Sequence, residues 1–473
     1  MSKVMQFFEE ISKIPRGSGN EKAISDYLVN FAKTRNLQAK QDTALNVVIY
    51  KPATPGHGNS LPLILQSHMD MVCEKNAGTT FDFLKDPITL RRDGDYLYAN
   101  GTTLGADNGV GVAISLAVLD SDDLSHPPLE IIFTTEEETT MNGVSALDPS
   151  WITARRMINL DSGNDTTFCV GCAGGGRFEF TIPVAREKFA NMTCKLLTVR
   201  GLLGGHSGAE IHLGKANSIR TLGRALAALS KELNIRIISV SGGLKTNAIP
   251  READAVIAMP AGDIGKAEQI LSALQQTLRT EYKVPDPGIT LSLSPTQDQH
   301  EAFTPECAEK AISAMLLVPY GVLHMSGDIP NLVETSNNIG VMETTPTVVS
   351  LDCALRSSLP TRRLFVQAQV EALAATLGAN VSFAHGYPAW TYNPDSPLLA
   401  AAVDEYRQMY DKEPNIEAIH AGLECGFMME KFPDMDIICY CARVYDAHTP
   451  NEHLSISSLD QIWKYTKAFL KSL

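Results

Sequence analysis

No stretch of the sequence approaches the roughly 18 consecutive apolar residues of a membrane-spanning helix. Its opening, Met1 to Glu10, has no long apolar core and no small-residue cleavage signal. It therefore predicts an amphipathic helix rather than a secretory leader. Positive charge is short as well. The chain carries 40 Lys and Arg against 54 Asp and Glu, a net charge of −14, which leaves no basic footprint for a nucleic acid. Disulfide patterning is missing too: the nine cysteines are odd in number and scattered, as reduced cytoplasmic thiols would be. The close pair Cys169-Val170-Gly171-Cys172 has no second pair to complete a zinc site. The glycine-rich stretch Asn100 to Gly111 lacks the Lys-Ser/Thr ending of a phosphate loop and the G-x-G-x-x-G frame of a dinucleotide site. What remains is a soluble globular chain of 473 residues, long enough for two to four domains.

Against these absences stand strands that end in potential metal ligands. Ile131-Ile132-Phe133 is a short apolar run that reads as a buried strand, and it stops in Glu136-Glu137-Glu138. Adjacent carboxylates repel one another unless cations neutralise them. A solvated charge run is the ordinary alternative, but the turn-like Thr139 to Gly143 that follows does not resemble a helical face. Leu63 to Asp70 is a second strand, ending in His68 and Asp70. A carboxylate beside an imidazole fixes its tautomer and raises its basicity, as a metal-ligating histidine requires. Met157 to Gly163 is a third, ending in Asp161. In α/β sheets ligands gather at the carboxyl ends of strands. Asp107 opens the apolar helix predicted from Val110 to Leu119, where it either caps the helix or bridges two cations. His448 lies in the polar loop Ala447 to His453, after a strand at Met435 to Tyr440.

The pattern changes after Gly174-Gly175-Gly176. Thr246 to Pro250, a strand at Ala255 to Met259 and a helix from Lys266 recur in order as Ser336 to Gly340, a strand at Thr347 to Leu351 and a helix from Arg363. This predicts an inserted α+β domain of two similar halves. The expected fold is thus α/β, a central mostly parallel sheet with helices on both faces, plus the insert. Expected boundaries are 1–183 and 391–473 for the sheet domain and 184–390 for the insert.

The motifs Ser67 to Val72, Gly101 to Gly109, Glu137-Glu138, Asn159 to Ser162, Gly204 to Gly208, Asn247 to Glu252, His420 to Gly426 and His448 together resemble the dinuclear zinc M20 metallopeptidase family, and within it the Xaa-His dipeptidase group. The resemblance runs nearly end to end. It implies two zinc ions per subunit, with cobalt or manganese as substitutes. His68 and Asp161 would hold one, Glu138 and His448 the other, and Asp107 would bridge them across a cis Asp107-Asn108 peptide. Asp70 would orient His68, and Glu137 would be the general base. A register one residue earlier would make Glu136 the base and Glu137 the ligand. Two divalent cations, three carboxylates and one bridging hydroxide sum to zero charge, which a partly dry cleft tolerates.

The implied reaction is hydrolysis of dipeptides, Xaa-His and β-alanyl-histidine types among them, in the cytoplasm. His206 of the inserted lid would face the oxyanion, while Asn247 and Arg356 would hold the substrate's C-terminal end. N-acyl amino-acid deacylation by the same metal site is the alternative, and a non-catalytic metal-binding protein a more distant one. Neither a nucleic acid nor a membrane is expected as a partner; a homodimer is left open.

Overall fold

The computed structural model describes residues 2–384 and 386–473. The chain divides into two compact units: Met1–Cys172, Trp390–Ala418 and Leu423–Leu473 form the first, Ala173–Ala389 and Ile419–Gly422 the second. The expected break at 183/184 falls at the end of strand Gly174–Pro183, whereas the division precedes that strand. The strand pairs along its whole length with Val348–Ser357, inside the second unit's sheet.

The first unit is built on an eight-stranded sheet. Its order is Gln38–Gln41, Val47–Lys51, Leu129–Thr134, Leu63–His68, Arg156–Asn159, Asp436–Cys439, Thr167–Cys172 and Asn415–Ile419. The four strands from Leu129–Thr134 to Asp436–Cys439 are parallel. The flanking strands whose register is given run antiparallel. Strands Leu63–His68 and Leu129–Thr134 are buried at every position, which explains the apolar runs Leu63-Ile64-Leu65 and Ile131-Ile132-Phe133: both faces are covered. Helix Ala106–Leu119 packs on strand Leu63–His68 and against helix Lys3–Ile11. Every residue of it except Asp107 is buried, so it reads as apolar all round. A small second sheet joins Leu90–Asp93, Tyr96–Ala99, His453–Ser455 and Val444–Tyr445.

The second unit carries a nine-stranded sheet whose pairings are antiparallel. Its two halves are the duplication read from the sequence. One half runs strand Thr193–Arg200, helix Ser218–Glu232, strands Arg236–Gly242 and Ala253–Met259, helix Ile264–Glu281 and strand Thr290–Pro295. The other runs strand Gly174–Pro183, helix Pro305–Leu317, strands Val333–Thr344 and Val348–Ser357, helix Pro360–Leu377 and strand Asn380–Phe383. Each is a β-α-β-β-α-β unit with the same internal strand order. They meet at the middle of the sheet through one register pair, Gly242 with Met342. Helices Ser218–Glu232 and Pro305–Leu317 also pack together across the halves, burying Leu222, Leu226 and Met315.

Candidate metal centre

Parallel strands bring their carboxyl ends to one edge of a sheet, and here that edge collects acids and imidazoles. His68 is the last residue of its strand. Glu136, Glu137 and Glu138 follow Thr134 after a single intervening residue, and Asp161 lies two residues beyond Asn159. Asp107 sits in the first turn of helix Ala106–Leu119, where the backbone departs from helical angles and the Asp107-Asn108 peptide is cis. His448 arrives from the loop between Val444–Tyr445 and His453–Ser455, with φ of +66°.

The side chains form two groups that share Asp107. His68 Nε2 lies 3.2 Å from Asp107 Oδ1 and 3.4 Å from Asp161 Oδ1. His448 Nε2 lies 3.3 Å from Asp107 Oδ2 and 3.0 Å from Glu138 Oε2. One ligand atom each from His68, Asp107 and Glu138 falls within 4.8 Å of the others. Glu136 turns elsewhere: its carboxylate accepts from Thr140 Oγ1 at 2.6 Å and Asn142 Nδ2 at 3.3 Å.

Asp70 stands behind this constellation. Its carboxylate is 3.3 Å from His68 Nδ1 and accepts from Ser18 Oγ at 2.7 Å. It also takes the backbone N–H groups of Glu137 and Glu138 at 3.2 and 3.3 Å. One carboxylate therefore orients the imidazole and fastens the glutamate turn. Glu21 extends the arrangement by accepting the N–H of Glu136 at 3.2 Å.

In the second unit, His206 and Asn247 are neighbours through the short ladder that pairs His206 with Ala248. Asn247 is exposed, and its carbonyl accepts the N–H of Ser207 at 2.9 Å. His206 Nδ1 accepts the N–H groups of Gly208 and Ala209 at 3.3 and 3.0 Å. That leaves the proton on Nε2, as a free donor tautomer. Gly208 sits between His206 and Arg356; a Cβ there would come within 3.1 Å of the imidazole and 3.3 Å of the guanidinium. Arg356 is buried and donates to Tyr387 Oη. The three lid residues expected from the sequence thus lie in one region of this unit.

Residues 64–472 match the family described as peptidase family M20/M25/M40. The chain belongs to that family. It is 36% identical over 467 residues to the cytosol non-specific dipeptidase of Escherichia coli (strain K12), covering 98% of this chain and 96% of that one. The crystal structure of aminoacylhistidine dipeptidase from Vibrio alginolyticus superposes with a TM-score of 0.93 at 36% identity, covering 100% of this chain and 96% of the other. Aminopeptidase PepT from Bacillus cereus shares the fold, with a TM-score of 0.56 at 14% identity over 99% and 98% of the two chains. Among the described residues no helix is long and apolar enough to cross a membrane.

M20 peptidases are metal-dependent, and the donor set fits a divalent metal. Imidazole nitrogens and carboxylate oxygens suit zinc and its neighbours. Glu138 Oε1 is buried with no hydrogen-bond partner, as an atom that awaits a ligand would be. The electrostatics agree. Burial would hold His68 neutral, but Asp161, Asp107 and Asp70 outweigh it and raise its pKa well above the ordinary value. Hydrogen bonding to Asp107 and Glu138 raises His448 to about 11. Burial raises Glu137 well above the usual carboxylate range, with Asp161, Glu424 and Glu138 adding to it. Burial also raises Asp161 and Glu138. The metal-free site thus retains protons that cations would displace.

Two further contributors have no clear mark in the sequence. Asn108 Nδ2 donates to Asp161 Oδ1 at 2.7 Å and to the carbonyl of Leu160 at 2.6 Å, fixing that carboxylate. Glu424 accepts from Gln66 Nε2 at 2.5 Å and Thr134 Oγ1 at 2.7 Å, and burial lifts its pKa to about 8. Each lies inside a motif that the family resemblance quoted, but nothing in residue type announced its partner.

Proposed function

We propose that this M20 peptidase is a dipeptidase that uses two divalent cations, zinc foremost, and accepts Xaa-His and β-alanyl-histidine substrates among others. The observation that carries the reading is Asp107, whose two oxygens each face a different imidazole. A single metal needs one such contact; a bridged pair needs both. Two long relatives bearing dipeptidase names support the substrate class, and the name of the first supports a cytoplasmic setting.

The first unit carries the metal-binding side chains in this reading. His68, Asp107, Glu138, Asp161 and His448 would hold the cations, and Asp70 would orient His68. The bound metals supply Lewis acidity, lowering the pKa of water towards ~7 and polarising the scissile carbonyl. Glu137 takes the proton from the attacking water and returns it to the leaving amine. Its pKa is raised by burial, and cations in the same cleft oppose that shift. Those opposed effects suit a group that both accepts and releases a proton near neutrality. Glu137 is preferred to Glu136 because the latter's carboxylate is committed to Thr140 and Asn142. His206 offers its Nε2 proton to the developing oxyanion. Arg356 reads the terminal carboxylate, as guanidinium groups do, with Asn247 beside it.

A dipeptide panel assayed on metal-stripped protein reloaded with zinc, cobalt or manganese tests this. Turnover of β-alanyl-histidine and of Xaa-His peptides, with little on an N-acetylated amino acid, is the expected result. The opposite preference would make the protein a deacylase.

A further inference from the structure

Arg16 and Glu452 are both 2% exposed. Burying a charge is costly unless hydrogen bonds compensate it, and for Arg16 the attraction of Glu452, Asp70 and Asp107 only partly offsets its burial. Both charges are spent on backbone, and on the same segment. Glu452 Oε2 accepts the N–H groups of Leu104 and Gly105 at 2.8 and 3.0 Å. Its Oε1 accepts those of Ala106 and Asp107 at 2.7 and 3.2 Å. Arg16 Nη2 donates to the carbonyl of Gly105. Its Nη1 reaches the carbonyls of Met69 and Asp70, both at 3.1 Å.

The connectivity gives these contacts a direction. Met69 and Asp70 follow His68 directly, so Arg16 joins the His68 segment to the Asp107 segment. Glu452 lies four residues after His448, and its N–H closes the intervening turn on Thr449 O at 3.0 Å. It therefore joins the His448 segment to the Asp107 segment. Glycine is needed where the guanidinium lies: a Cβ on Gly105 or Gly109 would come within 2.6 or 2.5 Å of Arg16 Nη2.

We propose that Arg16 and Glu452 are positioning residues of the metal centre: they lock the Asp107 segment against the two histidine segments and so set the spacing at which two cations are held. This rests on the two-cation reading above. Groups that orient ligands in this way change metal affinity by about 10–100-fold when removed.

The test is a titration of metal-stripped protein with cobalt, read by visible absorption and by elemental analysis after dialysis. The wild type is expected to take two equivalents. In Glu452→Gln an NH2 group faces backbone donors, and the second equivalent should bind at least about tenfold more weakly. Arg16→Lys, which keeps the charge but loses the fork to three carbonyls, should do the same. Should Glu452→Gln fail to fold, Glu452→Asp keeps the charge with a shorter reach and is expected to bind between the two. Folded variants with two equivalents at wild-type affinity and an unchanged cobalt spectrum would overturn the proposal, leaving only a structural role. A wild type that takes up fewer than two equivalents would remove the two-cation reading itself.

Discussion

Asp107 must face two imidazoles at once, and its neighbours divide the work of keeping it there. Glu137, by contrast, holds its place through its backbone N–H on Asp70. That separation of roles makes a sharp expectation. Glu137→Gln preserves size, leaves both histidine groups intact and removes the proton acceptor. It should retain both metals by elemental analysis and lose roughly 10²–10⁴-fold in kcat. Normal turnover in that variant would move the base elsewhere, with Glu136 the first residue to examine. The residue scale is also where the sequence spoke least clearly. Three consecutive glutamates carry no register of their own. Only the turn after Thr134 sends one towards His448 and another towards Thr140.

At the scale of the element, helix Ala106–Leu119 explains glycines that resisted interpretation in the sequence. Gly111 faces strand Leu63–His68 and the turn after Asn159. A Cβ there would meet Asn108 Oδ1 at 2.2 Å, Leu160 O at 2.5 Å and Ser67 Cβ at 2.9 Å. Two of these are a backbone carbonyl and an inward-facing side-chain root, which cannot swing aside. Gly111→Ala should therefore destabilise the fold by about 1–3 kcal/mol, read by denaturant unfolding. Because Asn108 holds Asp161, metal binding should weaken in the same variant. An unaltered unfolding midpoint would show that the helix does not press on the strand at Gly111. The stretch Asn100 to Gly111 thus has a packing logic: a guanidinium approaches the chain at Gly105 and Gly109, and a strand at Gly111.

Across the whole molecule, metal and proton compete for the same imidazoles. His448 has its pKa raised from the ordinary 6.5 to about 11 in the metal-free protein. A raised pKa contributes stability that is complete below 6.5 and fades as pH climbs through the folded value. Over the same window each proton removed makes metal uptake easier. Both effects act in one direction. The gap in Tm between metal-loaded and chelator-treated protein should widen from pH 6.5 to pH 8.5, measured by thermal scanning. A constant gap would mean that the histidines do not bind the metal. The lid is the part of the molecule whose order of elements was readable in advance. Its repeat survives as the order of strands and helices, although the first half is threaded between the first strand and first helix of the second. The boundary near 183 was harder to read, because strand Gly174–Pro183 joins the second unit before any loop marks the change.

By itself the sequence determined where apolar strands stop and which acids and imidazoles stand at their ends, because burial on both faces of a parallel sheet demands unbroken apolar runs. It also determined the alternation that makes the lid a repeated unit. The tertiary structure decided which of those ends meet, since only the strand order places His68, Glu138 and Asp161 on one edge and brings a loop more than 300 residues away to Asp107. It alone decided the roles of Arg16 and Glu452. Their partners are backbone amides and carbonyls, which every residue possesses, so nothing in the order of side chains distinguishes the ones they bind.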